Sequence, residues 1–139
     1  IHIPRFAILT ARPAILTSAR LMPSLPKSLP QICVALGFPS ASQLARAAER
    51  EYKDGNAFLE FRLDYLPEPA AGIEVIRKLR KNLPDAHILA TCRHKRASGH
   101  YKGDIEQQFA ILRSAGAAGA ALVDLEIESA ESAKRAVAA

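Results

Sequence analysis

Four apolar segments recur along this chain, starting near residues 32, 58, 88 and 121, and each is followed by a stretch of helical periodicity. The starts lie 26, 30 and 33 residues apart. Strand–helix alternation at a steady spacing predicts a parallel sheet joined by right-handed crossovers. Eight such units in about 250 residues make a closed barrel, roughly 31 residues per unit. A doubly wound sheet shares this rhythm, but no Gly-rich fingerprint follows the first strand. The expected fold is therefore α/β: the first four units of a (β/α)8 TIM barrel, occupying residues 31–139.

Each unit has its own punctuation. Ile32 to Leu36 reads as the first strand, closed by Gly37 and Pro39. Ser40 with Gln43 three residues on predicts a capping box, Leu44, Ala47, Ala48 and Tyr52 the apolar stripe, and Gly55 the stop. The second strand is expected over Phe58 to Asp64. The helix after it carries Ile73, Ile76, Leu79 and Leu83 on one face. Lys78, Arg80 and Lys81 suit its C-terminal dipole, and Asn82 and Pro84 end it. Ile88 to Arg93 is the third strand, with His87 at its start. Asp104 and Gln107 predict a second capping box, for a helix with Ile105, Phe109 and Leu112 inward and Gly116 at its end. Ala121 to Ile127 is the fourth strand, and Ser129 opens a further helix.

Residues 1–30 differ. They hold five of the nine prolines and four basic residues, with no acid. That composition predicts a disordered leader or upstream extension, since short interrupted apolar runs bury too little to offset chain entropy. Its arginines and lack of acids resemble a transit peptide. With the only methionine at Met22, a start near that residue is the competing expectation.

Charge and cysteine content narrow the partners. Removing the leader leaves fifteen of the nineteen basic residues against all fourteen acidic ones. The folded part is then nearly neutral, and the basic run Arg93-His94-Lys95-Arg96 has no wider stripe to join, so a nucleic-acid partner is not expected. No run approaches the ~18 apolar residues of a membrane span, so no membrane partner is expected either. Cys33 and Cys92 have no metal-ligand spacing and are expected as two buried, reduced thiols of a cytoplasmic protein.

The chemistry gathers at the C-terminal ends of the strands. In Phe58-Leu59-Glu60-Phe61-Arg62-Leu63-Asp64, strand alternation puts Glu60, Arg62 and Asp64 on one face. Three ionisable groups on one face of a buried strand are costly unless paired or used. Thr91 and Arg93 share a face on the next strand, as do Asp124 and Glu126 on the fourth. Barrel active sites sit at these ends. Arginine forks a carboxylate and carboxylates accept from hydroxyls, so the cluster suits a polyhydroxylated acid. A structural ion-pair network lining the barrel is the other interpretation.

Taken together, Glu60-Phe61-Arg62-Leu63-Asp64, Thr91-Cys92-Arg93, the glycine-containing loop after Arg93 and Val123-Asp124-Leu125-Glu126 resemble the first half of a type I 3-dehydroquinate dehydratase. The resemblance covers residues 31–139 and none of the leader. It implies a (β/α)8 lyase of the shikimate pathway that converts 3-dehydroquinate to 3-dehydroshikimate without metal or added cofactor. In that family a lysine forms an imine with the substrate ketone and a histidine moves the proton. The resemblance further implies that Glu60, Arg62 and Arg93 hold the substrate's ring hydroxyls. Asp64, Asp124 and Glu126 would stand behind them, the last two beside the catalytic histidine.

Two departures accompany the match. The family carries an acid and two glycines after the T-x-R arginine, whereas this chain has Ala97-Ser98-Gly99, with alanine in the acid's place. The imine-forming lysine and catalytic histidine belong to later strands and are expected beyond Ala139. His94, His100, Lys95 and Lys102 match neither and are expected as loop residues. The expected molecule is an inactive N-terminal fragment whose open half-barrel pairs into a homodimer or aggregates. Its alternative is a non-catalytic half-barrel serving binding or assembly.

Overall fold

The computed structural model describes residues 27–129; residues 1–26 of the expected leader and the helix expected after Ser129 lie outside the described residues. Four parallel strands form one sheet in the order β1-β2-β3-β4: β1 Val34–Leu36, β2 Phe58–Arg62, β3 His87–Thr91 and β4 Leu122–Asp124. Three helices make the crossovers: α1 Ala41–Lys53, α2 Pro69–Asn82 and α3 Ile105–Ala118. Neighbours in sequence are neighbours in the sheet, the arrangement of a barrel wall.

The helices cover one face of the sheet. Leu36, Leu59, Phe61, Ile88 and Ala90 point into that layer and are buried. Leu44, Ala47 and Ala48 of α1, Ile73, Ile76 and Leu79 of α2, and Leu112 and Ala115 of α3 meet them in one continuous core. Helix α2 packs against both α1 and α3. The other face is left open by the described residues. Ala35, Glu60, Leu89 and Leu122 form one register row across it, and none of the four is buried.

The helix starts follow the sequence. The Ser40 Oγ accepts from the Gln43 N–H at 3.3 Å, although the Gln43 side chain accepts from that hydroxyl instead of completing the box. At α3 both halves of the capping box form between Asp104 and Gln107. Its end differs from expectation. Gly116 lies inside the helix, and Gly119, at φ 115°, terminates it by donating back to Ala115 and Gly116. Only the later glycine meets the left-handed backbone that a helix stop of this kind requires.

The strands are shorter than their apolar runs. β1 pairs only from Val34 onward, which leaves Cys33 exposed and not in the core. Cys92 is buried as expected; burial, helped by the charges of Asp64 and Glu126, pushes its thiol up to about 12. β2 stops at Arg62, and Leu63–Tyr65 turn in a short 3-10 helix, so Asp64 is not a strand residue. Arg93 and Glu126 also lie just past their strands. Run length marked apolar segments, but ladder pairing ends where the chain must turn toward its helix.

Candidate functional site

The sheet register brings the polar residues together at one edge. Arg62, Thr91 and Asp124 form a row across β2, β3 and β4, one layer above the row containing Glu60. Alternation along each strand points this row to the open face, where the expected cluster assembles. Arg93 reaches it from the turn beyond β3.

Each arginine is gripped by an acid. Arg62 donates to Asp64 through Nε at 2.9 Å and Nη2 at 2.8 Å, a two-pronged pair whose carboxylate is fully buried. The Arg62 guanidinium also lies 4.9 Å from the Tyr65 ring centroid. Burial alone would raise the Asp64 pKa. The Arg62 guanidinium and the backbone N–H groups of His100 and Arg93 outweigh it and hold the carboxyl below its ordinary range. The second pair is Arg93 with Asp124, Nη2 to Oδ2 at 2.8 Å. Charge-assisted bonds of this kind fix a guanidinium's plane while leaving its outer N–H groups available. The Glu60 side chain is half-buried and has no hydrogen-bond or ion-pair partner among the described residues, while its backbone pairs with β1 and β3.

Both carboxylate oxygens of Glu126 accept hydrogen bonds. Its Oε1 accepts from the His94 N–H at 2.6 Å and its Oε2 from Gln108 Nε2 at 2.7 Å. Gln108 also donates to the Cys92 carbonyl at 2.7 Å. These bonds tie the loop after β3 to the end of β4. The same loop closes on itself, Tyr101 N–H to the Arg93 carbonyl at 3.0 Å and Lys95 N–H to the Tyr101 carbonyl at 2.8 Å. A Cβ on Gly99 would fall 2.0 Å from the Arg93 carbonyl oxygen, so the loop closes this tightly only because residue 99 has no side chain.

Gln108 was not legible as a site residue. It sits in the inward stripe of α3, three residues after Ile105 and four before Leu112, and that polar intrusion is the only signal it offers. His100 also does more than its exposed loop position suggests. Its N–H donates to Asp64 at 3.1 Å and its ring lies 4.2 Å from that of Tyr65. His94 and Lys95 cap and begin a short 3-10 turn, and Ala97 is the last residue of it. The Thr91 hydroxyl, in the middle of the Arg62–Asp124 row, is buried without a hydrogen-bond partner among the described residues.

A cavity of about 540 Å3 opens beside this site, walled by His94, Arg96, Asp104, Gln108 and Glu126 among others. Among the described residues no group of three His, Cys, Asp or Glu is placed to hold a metal ion, and no helix is long and apolar enough to cross a membrane.

Comparison with known proteins shows the family. The family model described as type I 3-dehydroquinase matches residues 32–139. A 3-dehydroquinate dehydratase of Desulfotalea psychrophila is 38% identical over 101 residues, covering 73% of this chain and 41% of that protein. One from Dehalococcoides mccartyi is 34% identical over 100 residues, covering 72% of this chain and 39% of that protein. The chain thus spans about two fifths of the length of these relatives.

Proposed function

This chain belongs to the type I 3-dehydroquinase family, and from that membership we propose that it forms the first four units of a (β/α)8 3-dehydroquinate dehydratase and one side of the substrate cradle. The observation that carries the proposal is the pair of guanidiniums braced by acids at one sheet edge, Arg62 by Asp64 and Arg93 by Asp124, with Glu60 one layer below. Arg62 and Arg93 donate to the ring hydroxyls of 3-dehydroquinate, and Glu60 accepts from one. Asp64 and Asp124 hold the donors still, so that little orientational freedom is lost when the substrate docks.

The reaction removes a proton and a hydroxyl as water to give 3-dehydroshikimate. A lysine imine is the electron sink that eases proton loss from the adjacent carbon, and a histidine carries the proton. Both groups are supplied from beyond Ala139, with Glu126 anchoring the wall that faces them. No metal or added cofactor enters this scheme. The 139-residue chain therefore binds substrate weakly and turns none over. In its isolated form it pairs with a second copy across the open face.

A titration of the labelled 139-residue chain with 3-dehydroquinate checks the cradle. Signals of Glu60, Arg62 and Arg93 shift together, and Arg93→Met abolishes the effect. Borohydride traps no adduct, because the imine lysine is missing. Shifts confined to other residues, or release of 3-dehydroshikimate, would sink the assignment. The mass of the natural gene product separates the two forms of the proposal. A product of about 250 residues fits a whole barrel. One of 15.0 kDa that binds without turnover makes the chain a binding or assembly module.

A further inference from the structure

We propose that Gln108 is a positioning residue that fixes Arg93 from both sides of its backbone. Its consequence for substrate rests on the role given to Arg93 above. The residue before Arg93 is held through its carbonyl, which accepts from Gln108 Nε2 at 2.7 Å. The residue after it is held through its N–H, which donates to Glu126 Oε1 at 2.6 Å. Gln108 and Glu126 are themselves bonded at 2.7 Å, so one continuous bridge spans the two peptide units that flank the arginine.

The bridge is built from groups that have nowhere else to turn. Gln108 is 2% exposed, on the first turn of α3, in a position the helix period reserves for an apolar side chain. A buried amide is stable only with its hydrogen bonds made, and here the nitrogen serves two acceptors from different strands' ends. Because α3 is capped at Asp104 and packed against α2, the bridge refers Arg93 to a helix and not to its own loop. Asp124 then sets the direction of the guanidinium. Backbone and head group are fixed by separate residues, which is the arrangement needed to hold a donor to within a fraction of an ångström.

Isotope-labelled 139-residue chain in three forms tests this: unchanged, Gln108→Met, which keeps length and bulk without the donors, and Glu126→Gln. In Gln108→Met the His94 amide exchanges with solvent about tenfold faster. The Arg93 Nε–H signal moves, while the amides of Leu59 and Phe61 keep their rates. Unchanged signals at His94 and Arg93, or a uniform acceleration across the sheet, overturn the proposal, since either makes Gln108 a packing residue only. If Gln108→Met does not fold, Glu126→Gln decides. Its amide has one oxygen for two donors, so the same local loosening follows, and an unmoved Arg93 overturns the proposal. Where the unchanged chain binds 3-dehydroquinate, Gln108→Met binds it several-fold more weakly, and equal affinity overturns the link to substrate. A chain that shows the local coupling but binds no 3-dehydroquinate removes the proposed function and leaves the hold of Gln108 on Arg93 standing.

Discussion

Asp64 is the residue on which most of the site converges. Two prongs of Arg62 and the N–H group of His100 all end on its carboxylate, so one side chain joins β2 to the loop that follows the second arginine. Replacing it with asparagine leaves the Arg62 guanidinium without its counter-charge in a mostly buried position. The expected loss is about 2–3 kcal/mol, below the range of fully buried pairs because Arg62 keeps some solvent contact. A fall in the urea midpoint at pH 7 measures it. The pH dependence follows from the lowered native pKa of Asp64. The unfolded chain binds the proton more readily, so the stabilisation is complete above the unfolded value of about 3.9 and is lost as pH falls through the lower native value. The difference in stability between the unchanged chain and Asp64→Asn should be flat from pH 7 to about pH 5 and shrink on acidification below about pH 4. A difference that widens on acidification would show that Asp64 is not held ionised by its partners.

At the scale of an element, α3 shows how a stop signal is chosen. Gly116 and Gly119 are three residues apart, and both follow apolar helical sequence. A Cβ on Gly116 would meet nothing within 4 Å, and the residue is helical. Gly116→Ala should therefore stabilise the chain by about 0.5–1 kcal/mol through helix propensity. Gly119→Ala forces a side chain into the left-handed region and against the Arg80 side chain, and should cost about 1–2 kcal/mol. Opposite signs in the thermal midpoints are the expected outcome. Helix α2 offers a packing counterpart. A Cβ on Gly72 would lie 2.5 Å from Leu63 Cδ2 and 2.8 Å from Leu66 Cδ1, both in buried residues. Gly72→Ala should thus destabilise by about 1–2 kcal/mol despite its better helix propensity, because overpacking outweighs it. Chemical denaturation gives the sign.

For the whole molecule, the decisive feature is a sheet that the described residues cover on one side only. Ala35, Leu89 and Leu122 present partly apolar surface on the open face, and β1 and β4 each have an unpaired edge among the described residues. Parallel sheets are stable when both faces are covered, and an uncovered edge is a template for another strand. The 139-residue chain in solution should scatter light as a dimer or larger, and its apparent mass should rise with concentration. A monodisperse monomer that unfolds cooperatively would show that the open face needs no cover. Lys placed at Leu89 and Leu122 together should reduce the association, since a charge on that face opposes apolar contact.

The order of the strands, the starts of α1 and α3 and the grouping of the charged strand-end residues were present in the sequence. Periodicity, caps and strand alternation are local, and each is carried by residues within a few positions of one another. Glu60, Arg62, Arg93 and Asp124 could be grouped because parallel strands place their C-terminal ends at one edge. Tertiary contact decided the rest. Strand ends depended on where pairing stopped, which put Asp64 and Glu126 in turns and Cys33 outside the core. The partners of Glu126, namely His94 and Gln108, lie 32 and 18 residues from it in sequence, and no local pattern connects them. A buried polar side chain is costly until its acceptors arrive from other elements, so what Gln108 does becomes visible only when the chain is folded.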